Sequence, residues 1–457
     1  MNPADFGVVE AGRHLAGGDL SARELTEACL ARIRERDGTH THEGDAHSIN
    51  AWVRVYEEDA LAAAARADER LAAGDAPVLC GIPIGLKDLY AVAGKPLTAS
   101  SKLLDELPER DCDAWARLAE EGMVLLGHLH THEFAVGGTT DQVGNPWALA
   151  RSAGGSSGGS AAALAARMAP AATGTDTAGS LRIPSAACGT STIKPTRGLV
   201  SLRGVVPLAP SLDHAGPMAR TIEDCRALLA ALAGTRAPRR TAGLAGLRVA
   251  LSPRIATIGL DPDVGDGLEH AVGVLRTLGA EVVEPPAPPG ALELGSDFLD
   301  VLRAELLVYH RRFDDRRELY RPSLREWVEG AEEHAVSAER YAAAQERRRL
   351  IATEWDGWFE RERVVAVLEP TIPVVAPPRG DGYDHAGTDA ALISFTHYWN
   401  WTGAPVVALP AGLGRRSGLP VGVSLVGRAG ADWELLDAAA ELQDELGVPA
   451  PADGNKR

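Results

Sequence analysis

The stretch SAGGSSGGSAAA, residues 152–163, holds four glycines and four serines in its first nine positions and ends in an alanine run. A second segment of related composition, GTDTAGSLRIP, follows at residues 174–184. A glycine-rich turn before a helix is a common phosphate-binding site, whereas a serine held on such a turn is a candidate nucleophile. The two segments therefore raise a choice between an anion-binding loop and a serine-based active site.

Phosphate binding does not fit the pattern of either segment. A P-loop requires a lysine followed by serine or threonine directly after its glycines, and neither segment has that lysine. A dinucleotide-binding fingerprint requires G-x-G-x-x-G directly after a strand, and GGSSGG departs from this spacing. We therefore expect no nucleotide and no other cofactor.

The charge and composition of the chain exclude several classes of protein. Its 457 residues include 46 basic and 63 acidic ones, a formal net charge of −17, which disfavours direct contact with nucleic acid or anionic membranes. There is no apolar stretch of about 18 residues, and the N-terminal region lacks the pattern of a secretion signal. The five cysteines never form a CxxC pair, so we expect a cytoplasmic protein without a zinc or disulfide framework.

Alternating strand and helix patterns predict an α/β protein. Ser21 and Glu24 form a capping-box pattern before an amphipathic helix, and an alanine-rich helix is predicted at roughly 56–73. Apolar residues 82–86 predict a short buried strand. The first serine segment continues into a helix at about 159–168, which an apolar turn connects to the second segment. We predict a single large α/β/α domain with a mixed central sheet covered by helices.

Three parts of this domain are expected along the chain. Residues 1–75 supply N-terminal helices packed on the core, and residues 76–235 hold both serine segments. A linker at 235–245 precedes residues 246–457, which complete the domain. Long charged helices at about 290–365 form a variable insert in this last part, and we expect them to form the wall of a substrate pocket.

A serine nucleophile needs a base, and the sequence offers a lysine rather than a histidine. His132 and His214 are the histidines nearest to the serine segments, and both lie in other parts of the sequence. Lys87 ends the apolar strand IPIGLK, where burial would lower its pKa and yield a neutral amine. The alternative is that the Lys87 side chain extends from the strand end to solvent. The residues alone leave both interpretations open.

A rival metal site is suggested by the segment LLGHLHTHEF. His128, His130 and His132 alternate after an apolar strand, and alternation on a strand places side chains on one face. A catalytic zinc site needs three protein ligands and an open position, and no later set of histidines and aspartates accompanies these three. We therefore expect a structural role for the three histidines and no metal ion.

Four segments carry a resemblance to a known family: GIPIGLKDLYAVAGKPLTASS, AGGSSGGSAAALAA, GTDTAGSLRIPSAACGTSTIKPTRG and SLDHAGPMART. In this order and at these spacings they resemble the amidase signature family, as do EPTIP and the last two predicted strands. The similarity extends from about residue 5 to about residue 445. It implies the fold of that family and hydrolysis of amide bonds.

The resemblance also implies a Ser–cis-Ser–Lys triad. Ser180 matches the nucleophile, Lys87 matches the base, and Ser156 matches the bridging serine that follows a cis peptide bond and relays the proton. The family's oxyanion hole is expected at successive backbone N–H groups: Thr177, Ala178, Gly179 and Ser180.

Neighbouring polar residues are expected to support these groups. Ser157 is a loop serine that could support the triad by hydrogen bonding. Asp176 and Arg182 flank the nucleophile, and we interpret them as a structural ion pair that holds the loop. Asp213 and His214 could line the site, but a structural turn is the preferred interpretation.

The expected function is hydrolysis of a carboxamide C–N bond through a serine acyl-enzyme, with release of ammonia or an amine. Two alternatives use the same triad: the glutaminase subunit of a tRNA-dependent amidotransferase, and an enzyme that transfers the acyl group to an amine. A catalytically inactive binding scaffold is a third. The expected partner is a small-molecule amide, and a homodimer is compatible with the sequence.

Overall fold

The computed structural model describes residues 2–240, 243–288, 294–380 and 390–451, whose strands form a large mixed sheet and a short two-stranded ribbon. The strands are β1 Trp52–Val55, β2 Pro83–Lys87, β3 Val124–Leu129, β4 Gly144–Asn145, β5 Ala148–Ser152, β6 Ala171–Asp176, β7 Ser191–Lys194, β8 His214–Ala219, β9 Arg248–Leu251, β10 Glu281–Val283, β11 Val364–Pro370, β12 Val406–Leu413 and β13 Pro420–Val426.

Helices cover this sheet, with α7 packed against β8 and α13 packed against β12. The helices are α1 Val8–Gly17, α2 Ala22–Arg36, α3 Glu57–Ala73, α4 Asp113–Glu120, α5 Gly158–Ala165, α6 Arg182–Cys188, α7 Ile222–Ala233, α8 Pro262–Thr277, α9 Asp297–His310, α10 Pro322–Glu333, α11 Ala338–Glu362, α12 His397–Thr402 and α13 Asp432–Leu446. Within the described ranges, no helix has both the length and the apolar character needed to span a bilayer.

The large sheet has the strand order β1–β3–β2–β6–β8–β7–β12–β13–β11–β9–β10. The β2 strand runs parallel to β3 and β6, whereas the pairs from β6 through β12 are antiparallel. Strand β7 pairs with β12 across the predicted linker, with Ile193 opposite Val407. The chain therefore forms the single α/β domain with a mixed sheet that the sequence predicts. The boundaries of its three predicted parts stay predictions.

The helix that follows the first serine segment is buried on every side, which explains its composition. All eight residues of α5 are buried, and the helix contacts β2, β6 and α6. A Cβ on Gly159 would lie 2.6 Å from backbone atoms of Ala51 and His130. The close approach of these elements explains why glycine, alanine or serine occupies every position of α5 except that of the buried Leu164.

Most of the predicted elements are present, and one prediction is wrong. The capping box of Ser21 and Glu24 is formed at the start of α2, and the insert contains α9, α10 and α11. The apolar turn expected after the alanine-rich helix is instead strand β6, which pairs with β2 and β8. Residues 241–242 of the predicted linker and residues 289–293 near the start of the insert lie outside the described residues.

Candidate active site

Lys87 is fully buried at the end of β2, and its side chain meets three hydroxyl groups. Its Nζ lies 2.7 Å from the Oγ of Ser156, 2.9 Å from the Oγ of Ser157 and 2.8 Å from the Oγ1 of Thr175. The three hydroxyls come from the first serine segment and from β6. The lysine therefore does not extend to solvent. Its amine is held by hydroxyl groups, which can both accept and donate hydrogen bonds.

Burial controls the protonation of this amine. It lowers the pKa of Lys87 to about 7, while the negative charges of Asp176 and Asp213 raise it in part. Neither carboxylate forms an ion pair with the amine in the described structure, so the cost of desolvating the ammonium is only partly offset. The lysine can therefore accept or release a proton near neutral pH.

The first serine segment is fixed by its backbone. The peptide bond between Gly155 and Ser156 is cis, as the family resemblance implies. The carbonyl of Ser156 accepts hydrogen bonds from the backbone N–H of His132 at 3.0 Å and from the hydroxyl of Thr140 at 3.1 Å. A Cβ on Gly155 would lie 2.2 Å from the carbonyl oxygen of Thr139, so only glycine fits at this position.

Ser180 lies between β6 and α6, next to the first serine segment. The backbone N–H of Ser157 donates to the carbonyl of Ser180 at 3.3 Å, which joins the two segments. The side chain of Ser180 faces a cavity, and among the described residues its hydroxyl forms no hydrogen bond with Ser156 or Lys87. The structure thus places Ser180 next to the first serine segment, where Ser156 is hydrogen-bonded to Lys87, while the expected contact between the hydroxyls of Ser156 and Ser180 is not formed among the described residues.

The residues before Ser180 are held by a segment near the C-terminus. Thr396 donates a hydrogen bond from its hydroxyl to the carbonyl of Ala178. The carbonyl and the N–H of a trans peptide point in opposite directions, so this bond turns the Gly179 N–H away from Thr396. Gly179 has a φ of +139°, and a Cβ there would lie 2.3 Å from the hydroxyl oxygen of Thr396. This position therefore requires glycine.

Asp176 and Arg182 form the ion pair that the sequence predicts. The guanidinium donates to both carboxylate oxygens at 2.9 Å, and both side chains are buried. It also donates to the carbonyl of Thr396 at 3.0 Å and to the side-chain oxygen of Asn400 at 2.7 Å. Burial alone would raise the pKa of Asp176, but the charge and hydrogen bonds of Arg182 hold it below its ordinary value. The pair therefore fixes the second serine segment to α12.

Thr175, Thr396 and Asn400 were not identified from the sequence. Thr396 bonds to a residue 218 positions earlier in the chain, and neither it nor Asn400 lies in a motif that indicates a site. Thr175 gave a weak signal because it lies inside the second serine segment. All three act through contacts that only the folded chain creates.

The three alternating histidines have separate partners. His128 contacts the hydroxyl of Tyr56 at 2.8 Å, His130 contacts the hydroxyl of Ser100 at 3.2 Å, and His132 contacts a backbone carbonyl. Strand β3 ends at Leu129, so the alternation does not place all three on one strand face. In the part of the chain that the structure describes, no group of three or more histidine, cysteine, aspartate or glutamate residues is arranged to hold a metal ion.

Asp213 closes a turn, as the sequence predicts, with its backbone N–H donating to the carbonyl of Ala209 at 2.9 Å, and His214 begins β8 directly after it. The carboxylate of Asp213 accepts a hydrogen bond from the hydroxyl of Thr177 at 2.6 Å and from the backbone N–H groups of Leu208 and Ala209. The Nδ1 of His214 lies 2.7 Å from the carbonyl oxygen of Leu212. Asp213 therefore holds both the second serine segment and the loop before β8.

A mostly apolar cavity opens over Ser180. Helix α9 contributes one wall through four apolar side chains, and Trp327 of α10 lies beside it. The insert therefore forms part of the cavity wall, as expected. Among the described lining residues no side chain carries a charge; they are Ala135, Val136, Gly137, Gly138, Thr177, Ala178, Ser180, Ile183, Leu208, Phe298, Leu299, Leu302, Leu306, Trp327 and Ile393.

Comparisons with known proteins agree with the overall fold. A family model described as Amidase matches residues 24–436. The chain is 38% identical to a glutamyl-tRNA(Gln) amidotransferase subunit of Roseiflexus castenholzii, covering 94% of this chain and 93% of that protein. A crystal structure of an amidase is 32% identical with a TM-score of 0.85, covering 97% of this chain and all of that one. The peptide amidase of Stenotrophomonas maltophilia is 28% identical with a TM-score of 0.82, covering 99% of each chain.

Replacing Arg182 by methionine tests the buried ion pair. We expect Arg182→Met to lower the free energy of unfolding by about 3–5 kcal/mol, because it leaves the buried carboxylate of Asp176 without its cation. Urea denaturation measures the loss. The exposed pair of Arg203 and Asp113 supplies a matched control, and Arg203→Met should have a much smaller effect. Equal losses in the two variants would contradict this account.

Proposed function

The chain belongs to the Amidase family, and we propose that it hydrolyses the carboxamide C–N bond of an uncharged substrate with an apolar acyl group. It is an enzyme that acts on C–N amide bonds. The observation that carries the proposal is the apolar cavity over Ser180, beside the hydrogen-bonded Lys87 and Ser156. The cavity would hold the acyl group, and the buried lysine would supply the base.

In the proposed reaction, Ser180 attacks the amide carbonyl carbon. Its proton passes through the hydroxyl of Ser156 to the neutral amine of Lys87. The same route returns the proton to the amide nitrogen as the C–N bond breaks, so ammonia or an amine leaves and an acyl ester remains on Ser180. Water then attacks the ester, losing a proton to the relay, and the acid is released as Ser180 regains its proton.

The negative charge on the substrate oxygen would be stabilised by backbone N–H groups. Donors in this position contribute about 2.7–4 kcal/mol each when they are aimed at the developing charge. The hydrogen bond from Thr396 to the carbonyl of Ala178 supports this role, because it fixes the orientation of the Gly179 N–H. The proposed donors are those named from the sequence: Thr177, Ala178, Gly179 and Ser180.

The cavity favours an apolar acyl group over an amino-acid head group. Transfer of an ammonium or carboxylate group from water to an apolar wall is costly unless a partner of opposite charge is present. The buried charges of Asp176 and Arg182 already neutralise each other, and the carboxylate of Asp213 is held by the hydroxyl of Thr177. Aliphatic chains and aromatic rings, by contrast, would gain from contact with Phe298, Leu302 and Trp327.

A second candidate function is favoured by the sequence relatives. Several of them, 35–38% identical, are glutamyl-tRNA(Gln) amidotransferase subunits, and this similarity supports a glutaminase subunit better than a free-standing amidase. In that case the chain would work with partner subunits, and its acidic surface would leave tRNA contacts to them. Acyl transfer to an amine, and a homodimer, remain compatible with the same site.

Labelling with a fluorophosphonate tests the nucleophile. We expect a single adduct on Ser180, found by peptide mass mapping, because the relay makes this hydroxyl reactive. Lys87→Ala should abolish the adduct, whereas Ser160→Ala should retain it, since the Ser160 hydroxyl donates to the carbonyl of Thr173 and contacts neither Lys87 nor Ser156 in the described ranges. A folded wild-type protein that gives no adduct would refute the assignment.

The pH dependence of amide hydrolysis tests the base. Because neutral Lys87 is the active form and its pKa is about 7, kcat/KM should fall about tenfold for each pH unit below 7 and level off above it. Thr175→Val removes a hydroxyl that accepts a hydrogen bond from the ammonium form. This variant should therefore move the acidic limb to lower pH. A profile independent of pH between 5.5 and 7.5 would contradict a lysine base.

Ammonia release from hexanamide and from L-glutamine separates the two candidate functions. We expect kcat/KM for hexanamide to exceed that for glutamine by about 100-fold, because the cavity is apolar. Leu302→Glu should lower hexanamide hydrolysis more than tenfold, and the similar-sized Leu302→Met should change it by less than about threefold. Preferred hydrolysis of glutamine, or activity only with partner subunits, would establish the second candidate instead.

A further inference from the structure

A second cavity lies beside the first. Its walls come mainly from the loop before β8, which contributes a series of apolar side chains. The two cavities share Ala135, Thr177 and Leu208, which therefore form a ridge between them. The remaining residues that line the second cavity are Thr175, Leu202, Val205, Val206, Pro207, Pro210 and Asp213.

The two cavities differ in which part of the proposed machinery they reach. Ser180 lines the first cavity but not the second. The second cavity instead includes Thr175, whose hydroxyl lies 2.8 Å from the amine of Lys87. The first cavity therefore faces the nucleophile, and the second lies on the side of the proton relay.

We propose that the second cavity binds the amine portion of the substrate, so that the enzyme cleaves N-substituted amides with an apolar amine group. The inference rests on the proposed function, since it takes Ser180 as nucleophile and Lys87 with Ser156 as relay. The scissile bond then crosses the ridge at Thr177, with the acyl group over Ser180 and the amine group beyond the ridge.

The proton balance of the reaction supports this placement. When the C–N bond breaks, the bonding electrons go to nitrogen, which must gain one proton to leave as a neutral amine. That proton is the one Ser180 lost, and Ser156 delivers it from Lys87. The leaving nitrogen must therefore lie on the side of the relay, where the second cavity begins.

The lining of the second cavity selects an uncharged, apolar amine substituent. Asp213 carries the only carboxylate among its described lining residues, and that carboxylate already accepts hydrogen bonds from Thr177, Leu208 and Ala209. These hydrogen bonds use the carboxylate to hold the loop before β8. Most of the remaining surface is aliphatic, which suits an alkyl or aryl group on the amide nitrogen.

The test compares hexanamide with N-butylhexanamide, which have the same acyl group. We expect the wild-type enzyme to hydrolyse both. Leu202→Trp narrows the second cavity and should lower the ratio of kcat/KM for the secondary amide to that for the primary amide by at least about tenfold. Leu413→Trp alters a half-exposed leucine on β12 outside both cavities and should leave the ratio within about twofold.

The outcomes separate this inference from the proposed function. No hydrolysis of either amide, together with no adduct on Ser180, would refute the proposed function itself. Hydrolysis of hexanamide with a ratio that Leu202→Trp leaves unchanged would overturn the inference alone. So would a wild-type enzyme that hydrolyses hexanamide but not N-butylhexanamide.

A second measurement needs no variant and remains available if Leu202→Trp does not fold. A site that binds the leaving amine also binds an incoming one, so n-butylamine should intercept the acyl-enzyme formed from hexanamide. The amine nitrogen bonds to the acyl carbon, the ester bond to Ser180 breaks, and the amine proton returns to Ser180. We expect N-butylhexanamide to form with saturable dependence on butylamine. A linear, unsaturable dependence would overturn the inference.

Discussion

The burial of one amine among hydroxyl groups is the constraint on which the site depends. Lys87 loses its hydration at the end of β2, and its three hydrogen-bond partners offset part of the cost of burying the amine. Two of these partners, Ser156 and Ser157, depend on the backbone conformation of the first serine segment. The third requires β6 to lie beside β2, with Ile84 opposite Ala171. One buried polar group thus ties the central pairing of the sheet to the geometry of both serine segments.

The second serine segment depends on contacts that are distant along the chain. Arg182 reaches Asp176, Asn400 and the carbonyl of Thr396, so the position of the segment depends on α12, which lies in the C-terminal half of the chain. The pairing of β7 with β12 brings these halves together. The arrangement of backbone donors near Ser180 is therefore a property of the complete domain rather than of the local sequence.

Much of this organisation could be predicted from the sequence, and the failures have physical reasons. The capping box at Ser21 marks α2, because a helix N-terminus has a local chemical signature. The sequence predicts a turn before the second serine segment, because AATGTD has few of the branched side chains that favour strands. The pairing of β6 with β2 and β8 outweighs that preference.

In the candidate site, too, local motifs could be predicted from the sequence and contacts between distant residues could not. The cluster of Lys87, Ser156 and Ser157 followed from motifs, whereas Thr396 and Asn400 could not, since no local pattern indicates a contact across 218 residues. The alternating histidines suggested a shared face. That expectation depended on the strand continuing beyond Leu129, where it ends.

The separation between the buried α5 and the cavity wall on α9 and α10 has an evolutionary consequence. No added carbon fits at Gly155 or Gly159, so a lineage that keeps the chemistry must keep glycine at both positions. The wall side chains Phe298, Leu302 and Trp327 belong to helices that contribute nothing to the hydrogen bonds of Lys87. After gene duplication, substitutions at a few wall positions could therefore give one copy a new substrate while its reactive centre stays unchanged.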